Sequence, residues 1–183
     1  MAEFIQKHKL FSFYSALMIV VVLIAIFAPW LAPGDAFSSN LSQALQAPSS
    51  QHWFGTDKLG RDVLSRIIYG TQLSLFMGVS IVVIMVSIGT IIGAVAGYFG
   101  GKIEMVLMRL ADIMLSFPGV VLAIAIAGIL GGSIVNTIIA LSVVGWAKYA
   151  RLVRSMTLKV RGEEYVTAAV MMGASTTTIL RRH

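Results

Sequence analysis

The sequence predicts an all-α membrane protein, a polytopic bundle of transmembrane helices, and three observations carry that prediction. Hydrophobic residues make up 57% of the 183 and charged residues only 12%, with a mean hydropathy of +0.87. That is too apolar for a soluble domain of this length. The apolar residues gather into runs of about 20, the number that crosses a bilayer as a helix. Charge is one-sided as well: Lys148, Arg151, Arg154, Lys159, Arg161, Arg181 and Arg182 are half of the 14 bases, against Glu163 and Glu164 among 8 acids. Such an excess beside an apolar run marks the cytoplasmic face.

Residues 1–9 form a short cytoplasmic start with Lys7, His8 and Lys9, and the nearly charge-free stretch 10–31 is the first span. A cleaved signal peptide would also begin with positive charge. However, this run is longer than a signal core of roughly 7 to 15 residues, and Pro29 and Pro33 bracket a poor small-residue cleavage site. Residues 32–72 are polar and turn-rich, with Lys58, Arg61 and Arg66 balancing Asp35, Asp57 and Asp62. The absence of positive excess fits an external loop. Within it, Asp57 with Arg61 and Asp62 with Arg66 have acid-before-base i,i+4 spacing, which predicts an interfacial helix leading into the next span.

The second span is 73–98. Gly89, Gly93, Gly97 and Gly101 recur every fourth residue, a ladder that allows close helix packing in membranes; intramolecular packing is favoured over a substrate-lined surface. A cytoplasmic turn at 99–104 carries Lys102, and the third span is 105–130. Arg109 and Asp112 sit near its inner end as an i,i+3 pair, read as a structural pair with Arg109 snorkelling to the surface. Pro118 is expected to kink this helix. After an external turn at 131–133 comes the short fourth span, 134–150, which is expected to extend beyond Lys148 with its bases at the interface. Asn136 caps its outer end and Trp146 joins the interfacial aromatic belt.

Residues 151–183 then form a cytoplasmic helix-turn-helix. Tyr165, Ala169 and Met172 share one side of its first helix, Gly173 offers the left-handed conformation that ends a helix, and Ser175 can cap the next. Glu163 and Glu164 at the start, and Arg181 and Arg182 at the end, suit the helix dipoles. Small residues at Ala168, Ala169, Gly173 and Ala174 let another protein approach closely.

Several chemistries are excluded or disfavoured. The chain has no cysteine, so disulfide frameworks and thiolate metal sites are out. His8, His52 and His183 have no metal-ligand spacing, and no strand precedes the glycines near Gly97 as a phosphate loop would require. Nothing orders a catalytic nucleophile, and no cofactor is implied. The net charge of +6 is explained by topology rather than by nucleic acid.

Two stretches resemble a known family. Tyr165 to Ser175, with Glu164, Thr167, Ala168, Ala169, Gly173 and Ala174, followed by Ile179 to His183, resembles the "EAA" loop of ABC-importer permeases. The run from His52 through Gly55, Thr56, Asp57, Gly60, Arg61, Asp62, Ser65 and Arg66 is similar to a signature of the dipeptide, oligopeptide and nickel branch of those permeases. Thr167 stands where the loop usually has Glu, and the chain stops just before the family's Leu-Pro. The resemblance therefore implies a C-terminally truncated piece, with 73–183 an incomplete permease domain of the type I importer fold.

It further implies a second permease subunit as heterodimer partner, two cytoplasmic ATPase subunits docking on the loop, an external substrate-binding protein, surrounding membrane lipid, and peptides or nickel-type chelates as cargo. ATP hydrolysis would lie on the partner subunits in a bacterial inner membrane. The alternatives are a self-sufficient small channel or membrane scaffold, and a membrane-embedded hydrolase, for which only Asp112 is on hand.

Overall fold

Pro118 sets the most abrupt feature of the architecture. In the computed structural model, which describes residues 9–174 and 178–179, every regular element is helical; an isolated bridge between Thr56 and Asp62 is the only β-type pairing among the described residues. The helices are α1 (Lys9–Ile26), α2 (Ala28–Leu31), α3 (Val63–Phe99), α4 (Gly101–Ser116), α5 (Gly119–Leu130), α6 (Ile134–Arg161) and α7 (Glu164–Met171). Instead of one kinked span over 105–130, α4 and α5 meet at 91°. Phe117 is pushed to φ −92°, ψ 146° by the proline that follows it, and Pro118 itself is non-helical at ψ 111°, so two successive residues leave the helix.

Two helices, α1 and α3, are by themselves long and apolar enough to cross a bilayer, and α4 with α5 makes a third if the bent pair is one span. Other boundaries also shift. Residues 63–72 form no separate interfacial helix but are the first turns of α3, whose 37 residues make it roughly 55 Å long. Only Gly100, at φ 66°, separates α3 from α4, so the expected turn at 99–104 collapses to one residue. The fourth segment continues as helix past Lys148 and past residue 150 to Arg161, so 151–161 belong to α6 rather than to the following loop.

The chain divides into two compact units, Met1–Gly78 and Val79–His183. In the first, α1 ends against α2, whose first turn holds Pro29 where a missing N–H costs nothing. In the second, most of the buried apolar residues are small, Ala96, Ala111, Ala123, Ala140, Ala147 and Ala150, with Ile138, Val166 and Ile179 the larger ones among the described residues. Large side chains such as Val83, Ile91, Val121, Ile124 and Ile129 face outward. This inversion suits helices surrounded by lipid or by other subunits, where small residues bring backbones together and no water drives the large ones inward.

The glycine ladder supplies the clearest contact in that unit. A Cβ on Gly89 would lie 2.5 Å from Tyr149 Cβ, one on Gly93 2.8 Å from Val153 Cβ, and one on Gly97 2.7 Å from Thr157 Cβ. α3 and α6 thus touch backbone to backbone along three turns. Gly101 drops out of the ladder: it opens α4 at φ 56°, and nothing lies within 4 Å of a Cβ there. At the α5–α6 turn, Asn136 Nδ2 donates to Leu130 O at 2.6 Å and Gly131 O at 3.0 Å, while Ser133 Oγ accepts from Asn136 N at 3.1 Å. Ser133, rather than the expected Asn136, therefore caps α6, while Asn136 closes the C-terminal end of α5. Trp146 is half-buried, its carbonyl 2.9 Å from the Gly89 Cβ position.

Candidate functional site

Two candidate sites emerge, one in each unit. In the first, residues 34–66 fold into a loop in which each signature residue has a visible task. Gly55 and Gly60 take φ of 70° and 72°, and their Cβ positions are blocked by the carbonyls of Gln46 and Asn40. Only glycine fits such backbone. Thr56 Oγ1 donates to Gln43 O and accepts from Gln46 N at 2.9 Å. Asp57 Oδ1 accepts from Leu59 N at 2.8 Å and Arg61 N at 3.0 Å.

The charges pair differently from the i,i+4 expectation. Asp57 Oδ2 accepts from Arg61 Nε at 2.9 Å and also from Arg66 Nη1. The Asp57–Arg61 pair therefore forms, but on a turn rather than a helix, and Arg66 pairs with Asp57 instead of Asp62. Asp62 is the N-cap of α3, accepting from Ser65 N at 2.7 Å, and its Oδ1 lies 3.0 Å from His52 Nδ1. Ser65, fully buried, accepts from Gly34 N at 2.9 Å.

These contacts hold the carboxyls ionised. The Arg61 guanidinium chiefly holds Asp57 far below the usual carboxylate range, against some burial, with help from the Arg61 and Leu59 amides and from Arg66. For Asp62, burial alone would raise the value, but the Ser65 amide and hydroxyl together with His52 outweigh it, and the net direction is down.

The second site is the segment after α6. Gly162 ends α6, with its N–H on Lys159 O at 3.1 Å, and α7 begins two residues later. α7 ends as the sequence suggests: Gly173 takes φ 85° and Ala174 N donates to Ala169 O at 3.0 Å, the bond of a left-handed glycine C-terminus. Val166 is 2% exposed and Ile179 is buried, both facing an apolar cavity of ≈ 270 Å³ shared with Tyr98, Val153 and Val160. Met171 and Met172 are more than four-fifths exposed, Tyr165 is half-exposed, and Glu164, Thr167, Ala168 and Gly173 are at the surface, with Ala169 and Ala174 half-buried. The Thr167 hydroxyl turns back to Glu163 O at 3.4 Å. The expected roles of Ser175, Arg181, Arg182 and His183 lie outside the described residues.

Elsewhere in the second unit, the structure brings together residues the sequence did not pair. Asp112 accepts from Arg151 Nη2 at 2.6 Å rather than pairing with Arg109, which is exposed and has no ion pair among the described residues. Glu104 accepts from Arg154 Nε at 2.7 Å and from its Nη2. Arg151 and Arg154 share a helix face by their i,i+3 spacing, and that was the available signal; their acids lie 39 and 50 residues away. No group of three or more metal-ligating side chains occurs among the described residues.

Small-residue packing, a folded polar loop and an exposed methionine-bearing helix beyond a basic helix end, together with helices long and apolar enough to cross a bilayer, are features of a helical membrane protein. Residues 89–183, more than half of the chain, match the family described as binding-protein-dependent transport system inner membrane component, and the chain belongs to that family. Residues 5–48 match the N-terminal transmembrane domain of oligopeptide transport permease C.

Among curated relatives, the chain is 43% identical over 179 residues to the dipeptide transport system permease protein DppC of Alkalihalophilus pseudofirmus, covering 98% of this chain and 59% of that protein. It is 36% identical over 178 residues to the oligopeptide transport system permease protein OppC of Bacillus subtilis, covering 97% and 58%. It is 44% identical over 170 residues to the glutathione transport system permease protein GsiD of Escherichia coli, covering 91% and 55%. The chain thus spans less than two thirds of the length of each of these relatives.

Proposed function

We propose that this chain is part of the transmembrane permease subunit of an ATP-binding cassette importer for short peptides, of the size of dipeptides to glutathione. The observation that carries the proposal is α7. It is a short helix anchored on one side by Val166, and it presents Tyr165, Met171 and Met172 to the surroundings immediately after a basic helix end. Exposed methionines on an anchored helix suit a protein contact.

In this reading α7 docks on a cytoplasmic ATPase subunit, with Glu164, Thr167, Ala168, Ala169, Gly173 and Ala174 forming the contact. Two such ATPases, a second permease in a heterodimer and an external substrate-binding protein complete the importer. The chain crosses the inner membrane four times with its N-terminus inside: α1, α3, the bent α4–α5 pair, and the apolar first half of α6. The loop bearing Gly55, Thr56, Asp57, Gly60, Arg61, Asp62, Ser65 and Arg66 is external. ATP-driven closure of the ATPases displaces α7, and the spans tilt to expose the path alternately to either side.

The test is uptake of labelled dipeptide or glutathione by vesicles holding the full-length permease with its partners. ATP-dependent accumulation that disappears without the ATPase subunits is expected. Conductance from the permease alone, uptake of nickel chelates with no peptide uptake, or labelling of an α7 residue from the outside would overturn it.

A further inference from the structure

We propose that Glu104 is a positioning residue for transport: its ion pair with Arg154 latches α4 to α6, so that motion of α7 is delivered to the helix break at Ser116–Gly119. This rests on the reading of α7 as the ATPase contact.

α6 is the element able to carry such motion. It runs unbroken for 28 residues, and Gly162 and Glu163 alone separate it from α7. Its cytoplasmic half is fixed on one side by α3, since Arg154 N lies 2.9 Å from the Gly93 Cβ position and Arg154 O 2.9 Å from that of Gly97. With its backbone pinned there, the Arg154 side chain reaches α4 and meets Glu104 through two nitrogens, one at 2.7 Å.

The second pair, Arg151 with Asp112, joins the same two helices in the same sense. The acids ascend α4 from 104 to 112 while the bases descend α6 from 154 to 151, as antiparallel helices require. The two pairs differ in shielding: the side chains of Glu104 and Arg154 are 21% and 34% exposed, those of Asp112 and Arg151 more than half. Screening by water leaves an exposed pair little strength, so the Glu104 pair holds the helices together and the Asp112 pair follows.

α4 then continues without interruption to Ser116, where Phe117 and Pro118 turn the chain through 91°. On the other side, Arg161 sits over the Tyr98 ring at 6.0 Å, and both line a cavity with Val166 and Thr167 of α7. The route from α7 to the break is thus a series of packed or paired groups with two rigid helices in it.

The experiment uses the complete importer, in which ATP-dependent uptake by the wild type tests the reading beneath this one. Given that uptake, Arg154→Glu and Glu104→Arg should still bind the ATPase subunits and hydrolyse ATP, while peptide moved per ATP falls about tenfold, within the usual range of coupling factors. The double charge swap should recover most of it. Coupling within twofold of wild type in both single variants, or no recovery in a double variant that assembles normally, overturns the latch.

If a charge reversal fails to assemble, Glu104→Gln with the same readout replaces it. A cross-link gives a separate measure: a bis-methanethiosulfonate spacer about as long as the two side chains, bridging Glu104→Cys and Arg154→Cys, should leave transport at the level of either single cysteine variant treated alike, since the two helices move together. Loss of uptake that returns on reduction would mean they must separate, and the latch would be wrong.

Discussion

The amide of Gly34, where the chain has just left α2, donates to the buried hydroxyl of Ser65 in the first turn of α3 at 2.9 Å. One short bond closes a loop of about thirty residues at its base. Ser65→Ala removes the acceptor and leaves a part-buried N–H unpaired, a loss of about 1–3 kcal/mol. Hydrogen exchange at Gly34 should accelerate accordingly, with amides of α6 unaffected.

The same loop should be acid-sensitive. Asp57 and Asp62 titrate below their ordinary values in the folded loop, so the stabilisation they give is complete above the unfolded carboxylate pKa of about 3.9 and is lost as pH falls from there toward their folded values. Protection of the Leu59 and Arg61 amides, both held by Asp57, should decline over that acid range. In Asp57→Asn, protection should be weaker at neutral pH and nearly flat with pH. Asp62→Ala removes the cap of α3 at a cost of about 1 kcal/mol.

How much of this was readable in advance depended on the range of the interaction. The α3 glycines were legible because their spacing is local, and so was the helix-ending role of Gly173. Gly101 misled because periodicity carries across Gly100, whereas the backbone does not. The Asp57–Arg66 contact was hidden because the chain between these residues, nine apart, passes through the left-handed turn at Gly60. The Arg151–Asp112 and Arg154–Glu104 pairs depend on the register between two helices. Pro118 announced a disturbance, but its 91° size comes from two consecutive non-helical residues, of which the sequence names only one as proline.

The two kinds of α3 glycine should respond oppositely to alanine. At Gly93 a methyl group meets the backbone of Ala150 and Arg154, which cannot move aside without separating the helices. A loss of about 1–3 kcal/mol follows, seen as a lower melting temperature of the detergent-solubilised permease. Gly78 has nothing within 4 Å, so Gly78→Ala should be neutral or stabilise by about 0.5–1 kcal/mol through helix propensity.

Ser142 is buried in α6, and its hydroxyl has no hydrogen-bond partner among the described residues. An unpaired buried hydroxyl opposes folding, so Ser142→Ala should leave the melting temperature unchanged or raise it. A clear fall would show that the hydroxyl finds a partner in the assembled importer.

Gly173 separates conformational from contact effects at the end of α7. Its φ of 85° disfavours any β-carbon, yet no atom of the described residues lies within 4 Å of the Cβ position. Substitution there costs about 1 kcal/mol of backbone strain with no internal clash. Asparagine tolerates the left-handed region better than other residues, so Gly173→Asn should retain most coupling between ATP hydrolysis and uptake. Gly173→Leu adds both strain and bulk beside the exposed Met171 and Met172, and should reduce ATPase co-purification as well as uptake. If leucine and asparagine give equal, near-normal uptake with stimulated ATP hydrolysis, neither the bend nor close approach at Gly173 matters, and the docking role of α7 is lost with them.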